Sequence, residues 1–171
     1  MGLATFRGGV HPFEGKELSE SKPVQVLMPK GDMVYPMSQH IGAPATPLVK
    51  KGDQVLVGQK IGEASGFISA NVICSVSGTV KAVEMRRVAS GAMVNSIVVT
   101  NDGEYNTVEG LGADRDPSTL SKQDIRTIVK EAGIVGLGGA GFPTNVKLSP
   151  KDENAIDYIL LNGAECEPYL T

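Results

Sequence analysis

"LVKKGDQVLVGQKIGEA", residues 48–64, and "SVSGTVKAV", residues 75–83, decide the fold class of the first part of this chain. In the first stretch Gly52-Asp53 is a tight-turn pair, after which Val55 and Val57 alternate toward one face; in the second, Ser77-Gly78 turns into another β-branched run. The same grammar continues on either side. "PVQVLMP" (23–29), "DQVLVGQKI" (53–61), "NVICSV" (71–76), "GTVKAVEM" (78–85) and "NSIVVTN" (95–101) each read as a strand bounded by turn residues, and no long helical period interrupts them. The pattern predicts an all-β module over residues 1–100.

Composition agrees with that reading and excludes several function classes. The 171 residues hold 21 Gly and 10 Pro, no Trp and only 5% aromatics, which suits β-structure joined by tight turns, with glycine loops near a ligand. Sixteen Lys and Arg against 19 Asp and Glu leave a net charge of -3, so there is no broad positive field to draw in nucleic acid. No apolar run approaches the ~20 residues that span a bilayer, and the first residues lack a signal peptide's apolar stretch; a soluble polypeptide on the cytoplasmic side is expected. Cys74 and Cys166 stand far apart with no C-x-x-C pair and no nearby His, so neither a disulfide framework nor a metal site is expected. His11 and His40 sit beside turn residues and read as structural, hydrogen-bonded side chains.

The pair of segments at 48–64 and 75–83 resembles the biotinyl and lipoyl carrier fold, a small barrel-sandwich hybrid. Such carriers present a modifiable Lys at the hairpin tip between those segments. Here the intervening "ASGFISANVIC" (64–74) contains no Lys, so the shape is expected without the carrier chemistry, as a docking or support module.

After residue 100 the grammar changes. Residues 101–117, within "NDGEYNTVEGLGADRDPST", are poor in large apolar side chains and read as a linker or irregular crossover. "LSKQDIRTIVKEAG" (120–133) then predicts a helix: Ser121 caps it with Asp124 three residues on, Ile125, Ile128, Val129 and Ala132 share a face, and Gly133 stops it. "AIDYILLNG" (155–163) reads as a buried strand. Residues 118–171 are therefore expected to begin an α/β domain.

Between that helix and that strand lies "IVGLGGAGFPTNVKL" (134–148), in which Gly136, Gly138 and Gly141 spell G-x-G-x-x-G. A dinucleotide fingerprint needs a strand before the first Gly, a long helix after the last, and an acid closing the next strand. Here a helix precedes, Pro143 and Pro150 leave room for a turn or two of helix, and Asn162 stands where the acid belongs, so the ordinary dinucleotide reading fails. Gly136, Gly138, Gly139 and Gly141 still forfeit about 0.5–1 kcal/mol each in backbone entropy relative to Ala. Close backbone approach to a phosphate or planar ring, with Lys147 as matching charge, would offset this cost; so would tight helix-to-loop packing. In "NGAECEPY" (162–169), Glu165 and Glu167 flank Cys166, and read either as acceptors for the hydroxyls or amide of a ligand or as a solvated acidic turn, with Cys166 a spacer.

"GLGGAGFPTNVKL" and "NGAECEPY" resemble the flavin-binding segments of the NADH-oxidising flavoproteins that include the 51 kDa subunit of respiratory complex I. With "FRGGVHP" (6–12) and "QHIGAPATPLVKKGD" (39–53) ahead of the loop, nearly the whole chain is similar to the C subunits of Rnf complexes, membrane-bound ferredoxin:NAD oxidoreductases that pump ions. The resemblance implies a mixed β and α/β chain, a barrel-sandwich hybrid followed by the start of an FMN-binding domain. It implies FMN held by Gly136, Gly138, Gly139, Gly141, Lys147 and Asn162, and NADH seated by Phe142, Glu165 and Glu167, with no catalytic side chain. It further implies that the chain is the N-terminal part of a longer peripheral subunit on the cytoplasmic face of the membrane. That subunit would meet the other Rnf subunits, act indirectly on ferredoxin, and carry two [4Fe-4S] clusters outside this chain. Against the complex I pattern, Leu137 replaces an Arg, Ala164 an Asp and Cys166 a Ser, which bears on nucleotide contacts more than on the flavin loop. A cobalamin reductase-type flavoprotein shares the loop but lacks the long β-module ahead of it, and a non-catalytic docking module is the alternative outside enzymes. The missing tip lysine makes a direct prediction: co-expression with a biotin or lipoyl ligase leaves the mass unchanged, and a mass increase in the intact protein would refute the support-module reading.

Overall fold

A turn at Gly52, with φ +95°, delivers Val55 into the interior, where it is 1% exposed, and pairs its short strand with the strand that begins at Gly78. The computed structural model describes residues 13–137 and 140–161. Its strands are β1 (Asp32–Pro36), β2 (Thr46–Pro47), β3 (Gln54–Val55), β4 (Lys60–Glu63), β5 (Val72–Ile73), β6 (Gly78–Arg87) and β7 (Met93–Asn101). They form two antiparallel sheets, one in the order β1-β7-β6-β3 and one in the order β2-β4-β5. A single apolar cluster draws on both: Tyr35, Val55, Val80, Ile97 and Val99 from the first, Ile61 and Val72 from the second, with Met37, Cys74 and Val76 from the connections. Each such fully buried aliphatic side chain contributes about 1.5–3 kcal/mol, whereas an exposed pair such as Lys81–Asp32 is screened by solvent and adds little. The shared core therefore holds the two sheets together as a barrel-sandwich hybrid.

Strand β6 changes character along its length. Val80 faces Val99 but Ala82 faces Val98, so Lys81 is an extra residue in a bulge, and its ammonium reaches the Asp32 carboxylate instead of the core. Beyond the bulge the paired arms of β6 and β7 run out as an exposed ribbon that turns at Gly91.

Two expected strands are not strands. In 23–29, Val24, Val26 and Leu27 are almost fully exposed, and only Pro29 is fastened, its carbonyl accepting from Asn101 and Tyr105. Residues 156–161 have no regular structure and Tyr158 to Leu161 are exposed; 162 and 163 lie outside the described residues. Alternating or continuous apolar residues do not make a strand without a neighbour to take its N–H and C=O groups, and none pairs with these segments among the described residues. The stretch 53–61 is divided into β3 and β4, because the backbone turns at Gly58, where φ is +85° and a Cβ would fall 2.8 Å from Leu111 Cδ1. Strands β1 and β2 carry no such alternation and were not anticipated from the pattern.

Residues 28–155 form one compact unit, and residues 1–27 and 156–171 belong to another, whose regular element among the described residues is a 3-10 turn at Lys16–Leu18. Within the larger unit the crossover after β7 lies along the barrel. Thr107 bridges Val57, the Val57 N–H donates to Asn106 O (2.9 Å), and the Val108 N–H donates to Val57 O (2.9 Å). Ser77 fixes this path: its buried hydroxyl donates to Asp102 Oδ1 (2.7 Å) and accepts the Asn106 N–H (3.0 Å). The same hydroxyl, and next the Glu104 N–H, holds the Asp102 carboxyl below the usual carboxylate range. Ser77→Ala removes the buried hydroxyl that joins Asp102 to the Asn106 N–H and is expected to cost about 0.5–1.5 kcal/mol; thermal unfolding checks this, and an unchanged Tm would show that the crossover does not depend on Ser77.

Candidate functional site

Helix α1 (Lys122–Glu131) begins with a capping box, Ser121 Oγ accepting the Asp124 N–H (3.1 Å) while Asp124 Oδ2 accepts the Ser121 N–H (2.9 Å). It ends in a Schellman arrangement: the Gly133 N–H donates to Lys130 O (3.0 Å) and the Ile134 N–H to Val129 O (3.2 Å). Gly133 has φ +64°, and a Cβ there would fall 2.4 Å from Asn71 O. Asn71, buried between the hairpin tip and β5, also donates its side-chain amide to Lys130 O (3.1 Å) and accepts the Ala64 N–H (2.9 Å). Lys60 of β4 adds an ion pair with Glu131 (2.8 Å). The helix thus ends against the barrel, and the chain leaves it in a fixed direction.

That direction leads into the glycine loop. Val135 bridges Pro143, the Gly136 N–H donates to Phe142 O (3.0 Å), and the Thr144 N–H donates to Ile134 O (3.0 Å), so the loop's two ends are stitched together. On its far side the Ile41 N–H donates to Ala140 O (3.1 Å), and Gly141, at φ +66°, lies so close to the barrel that a Cβ would fall 2.7 Å from Gln39 O and 2.9 Å from His40 Cα. The short helix α2 (Thr144–Lys147) follows, pinned by Arg126 of α1, which donates to Leu148 O (2.7 Å) and pairs with Glu153. Arg126 first, and then Lys122, holds the Glu153 carboxyl below its usual range.

From α2 the Lys147 side chain turns back over the loop. Its ammonium stands 2.9 Å from where a Cβ on Gly136 would be and 5.9 Å from the centre of the Phe142 ring. Of the expected site residues the structure therefore brings Gly136, Gly141, Phe142 and Lys147 together. Gly138, Gly139, Asn162, Glu165 and Glu167 lie outside the described residues. Gly136 acts by clearance: its own N–H is committed to Phe142 O, and its missing side chain leaves space for the ammonium. An exposed lysine ammonium placed over the loop in this way suits a phosphate group in general. Behind the loop, a cleft of about 320 Å³ is lined by Tyr35, Gln39, His40, Asn71, Gly133 and Val135 among others. Gln39, His40, Ile41 and Asn71 were missed as parts of the site because nothing local in the sequence ties them to a loop that follows so much later. Among the described residues no group of His, Cys, Asp and Glu could hold a metal ion, and no helix is long and apolar enough to cross a membrane.

A family model described as the RnfC barrel sandwich hybrid domain matches residues 4–104, more than half of the chain. The chain belongs to the RnfC family. A second model, the Nuo51 FMN-binding domain, matches residues 129–171 and so takes in the end of α1, the glycine loop and Lys147. Among curated relatives in this family, the chain is 48% identical over 176 residues to the C subunit of the Na(+)-translocating ferredoxin:NAD(+) oxidoreductase complex of Acetobacterium woodii, covering 98% of this chain and 38% of that protein. It is 43% identical over 169 residues to the proton-translocating counterpart of Clostridium ljungdahlii, covering 99% of this chain and 37% of that protein. It is 41% identical to the C subunit of the ion-translocating oxidoreductase complex of Rhodobacter capsulatus, covering 98% and 32%. The chain thus spans about a third of the length of these RnfC relatives.

The close contact at Gly141 is testable. Gly141→Ala combines a positive φ with a clash against barrel backbone and is expected to cost about 1–3 kcal/mol locally. Hydrogen exchange at Ile41 reads it: faster exchange there with β7 unaffected is expected, and unchanged exchange would mean that the loop does not need the contact.

Proposed function

We propose that this chain is the N-terminal part of a flavoprotein subunit that passes electrons between NADH, FMN and iron-sulfur clusters in an ion-translocating ferredoxin:NAD oxidoreductase. The observation that carries the reading is Lys147 folded back over Gly136, in a loop whose both flanks rest on the barrel. The FMN-binding domain match over 129–171 and the names of the relatives support it. FMN, when bound, supplies redox chemistry that side chains lack, taking two electrons as hydride and releasing them singly. The chain's own residues bind and orient. Lys147 would pair with the phosphate, Gly138 and Gly139 would admit the cofactor close to the backbone, Gly136 and Gly141 would shape the loop by making room for the ammonium and for the barrel, and Asn162 would meet the flavin or its ribityl chain. Phe142 would offer NADH an apolar face, with Glu165 and Glu167 accepting hydrogen bonds from its hydroxyls or amide.

In this reading residues 1–100 are the supporting module, 101–117 the connection and 118–171 the opening part of the flavin domain. The two [4Fe-4S] clusters belong to the remainder of the full-length subunit. The subunit sits peripherally on the cytoplasmic face of the membrane, against the other subunits of its complex, and exchanges electrons with ferredoxin indirectly.

Titration of FMN into the full natural chain, followed by flavin fluorescence, tests the assignment. Saturable quenching is expected, weakened about 10- to 100-fold by Lys147→Ala, the worth of one charge-assisted contact. No fluorescence change with the full chain would sink it.

A further inference from the structure

We propose that His40 is a positioning residue for the glycine loop, and that the hairpin tip between β4 and β5 is a brace for the flavin site. The inference rests on the flavin reading of that loop. A carrier of this shape would bear its lysine on that tip; here the tip is fastened down. The Ala43 N–H donates to Ile68 O (2.9 Å), Ser65 Oγ donates to Pro44 O (2.5 Å), and a Cβ on Gly42 would fall 2.1 Å from Ile68 O. His40 joins this contact to the loop. Its ring is buried, with Nε2 3.0 Å from Ala43 O and 3.3 Å from Ser69 Oγ. A carbonyl oxygen only accepts, so Nε2 carries the proton and donates to it. Ser69 Oγ in turn accepts the Ser65 N–H (3.1 Å).

The His40 backbone faces the other way. Its Cα and the Gln39 carbonyl are the surface against which Gly141 lies, and the next residue, Ile41, supplies the N–H that holds Ala140. One residue thus ties the tip with its side chain and backs the loop with its main chain. Losing the Nε2 donor releases the turn through Ala43, and with it the rear wall that sets the position of Gly141. Phe at this position removes the donor and keeps a ring; Gln restores an N–H donor of similar reach.

The test uses the full natural chain with FMN. His40→Phe is expected to weaken FMN about tenfold, the effect of losing one or two hydrogen bonds. It is also expected to change the visible circular dichroism of the bound flavin and to speed Ile41 amide exchange while Val98 in β7 stays protected. His40→Gln is expected to recover most of all three. Val80→Ala, which weakens the barrel core away from the loop, is the control. Equal loss of FMN affinity in Val80→Ala and His40→Phe at matched Tm would overturn the proposal, as would unchanged affinity and dichroism in His40→Phe. If the unsubstituted chain does not bind FMN, the flavin reading falls on its own. Ile41 exchange then still decides whether His40 braces the loop, unchanged exchange in His40→Phe overturning that too.

Discussion

Two barrel carbonyls, Asn71 O and Gln39 O, leave no room for a side chain at Gly133 and Gly141, and both glycines have the positive φ that such close approach requires. The rest of the site depends on this pair of contacts. The first fixes where helix α1 ends and in which direction the chain leaves it. The second fixes where the chain returns. With both contacts made to the same barrel, Lys147 reaches back from α2 over Gly136.

The glycines therefore answer to different demands. Gly133 and Gly141 are packing positions, where backbone meets backbone; Gly136 is a clearance position, where a missing side chain leaves space for an ammonium. Tight packing against the barrel and room for the Lys147 ammonium fall to separate glycines of the one segment. The barrel is accordingly more than a neighbouring module. Its core is built from aliphatic side chains of both sheets, and the stiffness of that core is available to the loop through Asn71, Gln39 and His40.

Features that are local in sequence were legible there. Ser121 and Asp124 announced the helix start and Gly133 its end, because capping joins residues three or four apart. The strands β6 and β7 were readable from their β-branched runs at 78–85 and 95–101, though not that they pair as one long hairpin. What depends on partners was not. Residues 23–29 and 156–161 have the composition of strands but no strand beside them among the described residues. Strand β1, "DMVYP", carries Asp32 and Pro36 at its ends and gains its identity from pairing with β7. His40 read as a hydrogen-bonded turn residue, which it is; that its backbone also supports Gly141, about a hundred residues later, is a fact of the fold alone.

The central claim is that a loop shaped by the barrel presents Lys147 to the phosphate of FMN. A crystal structure of the full natural chain with FMN tests it most directly. The account predicts a phosphate oxygen within hydrogen-bond distance of Lys147 Nζ, with Gly141 still against Gln39 and His40. A phosphate bound elsewhere, or a loop lifted from the barrel when the flavin is in place, would contradict it.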